Sequence, residues 1–256
     1  MKKNFDDLVN LSKYLRGPKG CPWDKEQTID TLKSYIIEEA YEVVQAIELK
    51  DKDELIEELG DLFYQVLFAC QIADEQGEFG IDDVIDTLHN KMVRRHPHVF
   101  GDEKAANAQE AVKTWHAQKL KEKTRKRRLL HIPRTMPSLL RAHRVGEKAS
   151  QVGFDWHNAQ QVLAKVKEEL LELEEEMKQG NKNRIEKEWG DMIFSLVNLG
   201  RHLGLDSESA AHSAIDGFIS RFGSIEDKAE EQGKQLSELT LDEMDNLWEE
   251  VKKEES

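Results

Sequence analysis

Cysteine is almost absent from this sequence: its 256 residues include only Cys21 and Cys70, and no CxxC pair. That excludes a disulfide scaffold and a cysteine-based zinc site. No apolar run approaches the ~18 residues of a membrane-spanning helix. The opening stretch MKKNFDDLVNLSKYL lacks the apolar segment of a secretory signal, so a soluble, cytoplasmic chain with no membrane partner is expected. No segment alternates apolar and polar residues over a useful length, so no sheet is expected. Neither GxxxxGK[ST] nor GxGxxG occurs, which excludes the glycine-rich phosphate cradles of P-loop and dinucleotide-binding folds. Positive charge is outnumbered, with 37 Lys and Arg against 51 Asp and Glu, a formal net charge of −14. Such a chain repels duplex nucleic acid unless a basic face compensates. The one basic run (Lys119, Lys121, Lys123, Arg125, Lys126, Arg127 and Arg128) has no interleaved aromatic residue to stack on bases. It reads as a solvated linker helix, and nucleic acid is not an expected partner.

What the sequence does have is charge, at 34 % of residues, and an internal repeat. Residues 38–42 read EEAYE and residues 168–172 read EELLE; Glu58 and Asp61 recur as Glu188 and Asp191, each 130 positions on. The pattern EExxE followed by ExxD thus occurs twice in one register, which independent acidic helices would rarely produce. Helical periodicity runs over 28–50, 54–76 and 81–95, and again over 158–179, 183–203 and 207–222, with turns at Asp51-Lys52-Asp53, Gly77, Gly180-Asn181 and Gly204. The basic run, Pro133 and Pro137 suit a connector. The expectation is an all-α protein of two tandem, four-helix-bundle-like units: 1–118, a linker at 119–137, and 138–256.

At 100° per residue, Leu32, Ile36, Ala40, Val43 and Ile47 fall roughly 20–100° from Glu39, and Glu42 falls near −60°. Leu55, Leu59, Leu62, Val66 and Ala69 relate to Glu58 in nearly the same way, as does Asp61 to Glu42's place. If the helices pack through these stripes, Glu39, Glu42, Glu58 and Asp61 converge, and Glu169, Glu172, Glu188 and Asp191 repeat the arrangement beside Val162, Val166, Leu170, Leu173, Ile185, Trp189, Met192 and Leu196. Converging carboxylates raise one another's pKa and need a cation. A hard divalent ion, Mg²⁺ or Mn²⁺, suits an all-oxygen donor set. The bland alternative is a solvated acidic helix face. No His stands at i+3, so the Glu-x-x-His pattern of di-iron bundles is missing. A metal with open coordination positions suits phosphate chemistry, and Lys91, Arg94 and Arg95 line one face of the third helix as candidate phosphate ligands.

The segments GCPWDKEQT at 20–28, IIEEAYEV at 37–44, EELGDLFYQV at 57–66, RRHPHVFGD at 94–102, VGFDW at 152–156 and NLGRHLG at 198–204 closely resemble the MazG family of nucleoside triphosphate pyrophosphohydrolases. The resemblance implies an all-α, usually dimeric enzyme. Such an enzyme uses Mg²⁺ to split (d)NTPs between the α- and β-phosphates, releasing a nucleoside monophosphate and pyrophosphate and clearing surplus nucleotides. It implies Glu39, Glu42, Glu58 and Asp61, and Glu169, Glu172, Glu188 and Asp191, as metal ligands. Glu38 and Glu168 match the acid that orients or deprotonates water. Lys91, Arg94 and Arg95 match the family's phosphate clamp, whose second copy here reads Gly217, Ser220 and Arg221, one Lys and one Arg short. That loss favours the first site, whereas Arg221 and Trp248, the latter at a base-stacking position or a plain packing position, favour the second. A narrower relative acting on dUTP, dCTP or phosphoribosyl-ATP, and a non-enzymatic acidic regulatory protein, are the other readings. His96 and His98 read as turn formers rather than a metal pair. Cys21 has no evident base and does not read as a nucleophile, and Trp23 and Trp156 read as core anchors of the entry loops.

Overall fold

The computed structural model describes residues 2–122 and 130–254, all helix, turn and loop, with no strand among them. The chain divides into two compact units, Met1–Glu122 and Lys123–Ser256. In the first, α1 (Phe5–Arg16), α2 (Pro22–Glu26), α3 (Leu32–Leu49), α4 (Lys52–Glu75), α5 (Ile81–Arg95), α6 (Pro97–Phe100) and α7 (Ala108–Glu122) follow in order. The second has α8 (Ser138–Ser150), α9 (Ala159–Gln179), α10 (Lys182–His202), α11 (Ser207–Glu231) and α12 (Leu241–Glu254), with a 3₁₀ turn at Leu236–Glu238. The acidic pairs sit on α3 and α4, and on α9 and α10, the helices that pack most extensively on each other in their units.

Local chemistry sets these boundaries. Lys50 closes α3 in the left-handed region (φ 58°), and Asp51 then caps α4 by accepting from the amides of Asp53 and Glu54. Gly180 (φ 72°) and Asn181 perform the same two tasks between α9 and α10. These tight connections keep each acidic helix pair antiparallel and in register. The helix expected over 207–222 runs on to Glu231, because no proline follows Gly217 or Gly223 and neither glycine adopts the positive φ of a helix stop. Residues 119–122 of the expected linker continue α7. Lys123, Arg125, Lys126, Arg127 and Arg128 lie outside the described residues. Ile132, near the end of that stretch, is buried, and Lys148 donates to the His131 carbonyl.

Each unit is pinned by one arginine. Arg16, whose side chain is 8 % exposed, donates from Nε and Nη2 to Glu75 (2.9 and 2.8 Å) and from Nη1 to the carbonyls of Asp24 and Gln27. Its guanidinium also lies 5.4 Å from the Phe68 ring centroid, so it joins α1, the GCPWDKEQT segment and α4. Gly20 in that segment is obligatory, since a Cβ there would stand 1.9 Å from the Leu15 carbonyl oxygen. Trp23, read above as a core anchor, is 53 % exposed and meets Tyr35 edge-on; the Arg16 bonds to backbone carbonyls, not the indole, fix this loop. In the second unit Arg201 donates two bonds to Asp155 (2.9 and 2.5 Å), His202 adds a third contact at 3.0 Å, and Trp156 is half-buried edge-on against His202. A Cβ on Gly146 would fall 2.3 Å from Asn198 Oδ1, which shows how closely α8 lies on α10.

Hydrogen bonding from Arg201 holds the Asp155 carboxyl down at about 2, below its ordinary 3.8. A carboxylate with a depressed folded-state pKa contributes its stability above about pH 4 and loses it as pH falls toward 2. At 1.36 kcal/mol per unit, and with solvent screening of this exposed group, this amounts to about 1 kcal/mol. Asp155→Asn is therefore expected to lower neutral-pH stability by about that amount and to flatten the acid limb between pH 4 and 2. Urea melts of both proteins across that range check it.

The buried clusters are small: Leu32, Phe68 and Ile72 with Tyr35, Tyr64 and Ala69 in one unit, and Ile225, Ala229, Leu239, Leu247 and Val251 with Leu236, Met244 and Trp248 in the other. The apolar stripes flanking the acids are buried only in part. Leu32, Val162 and Leu173 are buried, whereas Ile36, Ile47, Leu59, Val66, Leu170, Trp189 and Leu196 are exposed. Among the described residues, no helix is long and apolar enough to cross a membrane.

Candidate functional site

The antiparallel pairing of α3 with α4 brings Glu39, Glu58 and Asp61 together, with one carboxylate oxygen from each within 4.8 Å of the others. Glu42, expected as a fourth member, lies outside that distance but still acts on the group. Burial first, and then the Glu42, Asp61 and Glu39 charges, push the Glu58 carboxyl above its usual range. Burial likewise raises Glu39, opposed by a 3.2 Å bond from Gln65 Nε2. Among the described residues, no Lys, Arg or His forms an ion pair with this cluster, and Glu38 beside it is exposed. The first cluster is thus a concentration of negative charge without a counter-ion among the described residues.

In the second unit Glu169, Glu172 and Glu188 approach within 4.8 Å by the same measure. Glu169 is 5 % exposed and Glu188 9 %, and each leaves one buried oxygen, Oε2, with no hydrogen-bond partner. A buried, unsatisfied carboxylate oxygen is costly and marks a place for a cation. The donor set is all oxygen, which fits a hard divalent ion. Two lysines stand against these acids. Lys165 Nζ lies 2.7 Å from both Glu168 and Glu169, and Lys187 Nζ lies 2.9 Å from Glu188 and 3.0 Å from Asp191. Asp191, the expected fourth ligand, lies outside the close group and pairs with Lys187, and Glu168 is engaged by Lys165. These contacts raise both ammonium pKa values.

The expected phosphate ligands fall on the neighbouring helices. Lys91, Arg94 and Arg95 lie on the last turns of α5, which packs on α4. The Arg95 guanidinium sits 5.3 Å from the centroid of Trp115 on α7, with Lys119 Nζ at 4.7 Å. Arg221 on α11 takes the same relation to Trp248 on α12, at 5.8 Å, and Phe218 lies 5.2 Å from that indole. Trp248 also packs on the second unit's core cluster, so its packing role is real. His96 Nδ1 meets the Met92 carbonyl at 2.6 Å and its ring stands 5.6 Å from that of His98, a local turn contact.

Sequence reasoning missed Trp115, Lys165, Lys187 and Arg16. Trp115 falls three positions short of the repeat register, since 115 plus 130 is 245, an Asp, rather than 248. The lysines were visible as differences between the copies: Tyr35 and Glu57 occupy the places of Lys165 and Lys187.

Residues 27–100 and 157–223, which contain both acidic patterns, match the family model of the MazG nucleotide pyrophosphohydrolase domain. The chain is 45 % identical over 250 residues to a nucleoside triphosphate pyrophosphohydrolase/pyrophosphatase MazG of Thermotoga maritima, covering 97 % of this chain and 95 % of that protein. It is 40 % identical over 257 aligned residues to a nucleoside triphosphate pyrophosphohydrolase of Escherichia coli K12, covering 98 % of each. Two all-helical units, each with carboxylates gathered on one antiparallel helix pair, agree with that match: the chain belongs to the MazG nucleotide pyrophosphohydrolase family.

Proposed function

We propose that this chain hydrolyses (d)NTPs between the α- and β-phosphates, giving a nucleoside monophosphate and pyrophosphate, as a nucleotide-pool house-cleaning enzyme. The observation that carries the reading is the pair of carboxylate clusters, Glu39-Glu58-Asp61 and Glu169-Glu172-Glu188, which lie on corresponding helix pairs and share two register-equivalent members, Glu39 with Glu169 and Glu58 with Glu188. With Glu42 and Asp191, these are the residues that would hold a divalent cation. Mg²⁺, with Mn²⁺ as substitute, neutralises phosphate charge when bound and makes coordinated water more acidic. Around it, Glu38 and Glu168 accept the proton of the attacking water. For Glu168 this requires leaving Lys165, 2.7 Å away. Lys91, Arg94 and Arg95 hold the triphosphate at the first site. Arg221 does so at the second, where the exposed Phe218 and half-buried Trp248 offer a surface on which a base stacks.

Two further proposals concern organisation. The apolar residues exposed on α3 and α4, among them Ile37, Tyr41, Ile47, Ile56, Leu59 and Phe63, suit a symmetric homodimer that covers them. The domains are taken as 1–118 and 138–256 joined by 119–137, in a cytoplasmic protein. A mixed dNTP panel assayed with Mg²⁺ and with a chelator tests the activity. Pyrophosphate only with Mg²⁺ is expected, and no product from any nucleotide would favour an acidic binding protein.

The incomplete second clamp gives a gain-of-function prediction. A Cβ at Gly217 meets nothing within 4 Å, so a side chain can start there without a clash. One charge-assisted contact contributes roughly 1.5–3 kcal/mol, and 1.4 kcal/mol is a factor of ten. Gly217→Lys, in a chain whose first cluster carries Glu39→Gln, is therefore expected to lower KM for dNTPs about tenfold, read by initial rates.

A further inference from the structure

The two clusters differ in their counter-charge: the second is paired with two lysines. Lys165 bridges Glu168 and Glu169 at 2.7 Å, and Lys187 bridges Glu188 and Asp191 at 2.9 and 3.0 Å. In the first unit the register-equivalent residues are Tyr35 and Glu57, one neutral and one adding negative charge. No cation pairs with Glu39, Glu42, Glu58 or Asp61 among the described residues.

From this difference we propose that Lys165 and Lys187 are built-in counter-ions of the second cluster that compete with a divalent cation, so that in the absence of nucleotide the first cluster fills first. The inference rests on the reading of both clusters as divalent-cation sites. An incoming divalent ion at the second cluster must share or displace the ammonium groups. Asp191 lies outside the close group and is paired with Lys187, so recruiting it as a fourth ligand means loosening that ion pair. Both residues remain able to leave, because Lys187 is 66 % exposed and Lys165 33 %. A +2 and a +1 charge about 5 Å apart in a water-like medium repel by enough to weaken binding about tenfold. At the first cluster the same cation relieves repulsion and displaces no ammonium or guanidinium group among the described residues. The buried, unpartnered Glu169 Oε2 and Glu188 Oε2 show that the lysines leave the second cluster's charge only partly answered. The second cluster therefore still binds a cation, only less tightly.

Mn²⁺ alone, titrated into the full chain and followed by electron paramagnetic resonance of the free ion, reads this directly. Glu39→Gln/Glu58→Gln leaves the second cluster to be measured, and Glu169→Gln/Glu188→Gln leaves the first. The second cluster is expected to bind Mn²⁺ about tenfold more weakly. In the first background, Lys187→Met should tighten binding at least threefold, and Lys187→Glu, which copies Glu57, should tighten it further. The reciprocal Glu57→Lys should weaken the first cluster by a similar factor. Equal affinities at the two clusters, or no change with Lys187→Met, would overturn the counter-ion inference while leaving the metal-site reading intact. No Mn²⁺ binding at either cluster would overturn both.

Discussion

A chain carrying Glu39→Gln and Glu169→Gln together is expected to release pyrophosphate from dNTPs at least about a hundredfold more slowly in kcat/KM than the parent. The expectation follows from where these two carboxylates stand. Each contributes an oxygen to the close group of its unit, Glu39 beside Glu58 and Asp61, and Glu169 beside Glu172 and Glu188. Replacing a ligand by its amide keeps the shape but removes a unit of charge where a divalent cation needs it. Changes to groups that merely orient metal ligands lose roughly 10- to 100-fold, so loss of a ligand should exceed that range. A hundredfold corresponds to about 2.7 kcal/mol of transition-state stabilisation. The single variants divide the loss according to the share of turnover each unit carries. Initial rates at saturating and limiting dNTP settle the matter, and a double variant retaining more than a tenth of parental kcat/KM would detach the clusters from catalysis.

The largest stability effect is expected from Phe68→Ala. Phe68 is buried on α4 with Leu32 and Ile72, stacks on Tyr64 at 5.6 Å and lies under the Arg16 guanidinium. Its removal leaves a cavity where three elements meet and takes away the surface on which Arg16 rests. Large-to-small changes of a buried Phe cost about 3–5 kcal/mol, against a total domain stability of roughly 5–15 kcal/mol. Unfolding of the first unit should move down by roughly 10 °C or more, followed by circular dichroism. A shift of only a degree or two would mean that the small Leu32-Phe68-Ile72 cluster is not what holds the acidic helices together.

Much of this architecture was legible in the sequence, and the parts that were not share a cause. Five of the six long helices were readable to their ends because each combines 3.6-residue periodicity with a recognisable stop: Lys50-Asp51, Gln76-Gly77, His96-Pro97, Gly180-Asn181 and Leu203-Gly204. The sixth, with no such stop at 222, runs on to Glu231. The convergence of Glu39 with Glu58 and Asp61 followed from angles on two helices joined by a tight turn. Periodicity says which residues share a face, not what covers it, so it marked Ile36, Leu59 and Trp189 as core where they are exposed. Trp23 misled for the same reason, since a large aromatic beside a proline resembles an anchor whether or not a neighbour packs over it. Arg16 was invisible because its partners, Glu75 and two carbonyls, are set by tertiary packing rather than spacing. Lys165 and Lys187 were hidden by the similarity of the repeats, which drew attention to the shared acids and away from the two positions where the copies differ in charge.

The central claim, metal-dependent hydrolysis between the α- and β-phosphates, is tested most directly by ³¹P nuclear magnetic resonance of a dNTP incubated with the purified full chain and Mg²⁺. The structure-based account predicts resonances of the nucleoside monophosphate and pyrophosphate growing in equal amounts, with no orthophosphate, and their disappearance when a chelator is added. Nucleoside diphosphate with orthophosphate, or unchanged dNTP in the presence of Mg²⁺, would contradict it.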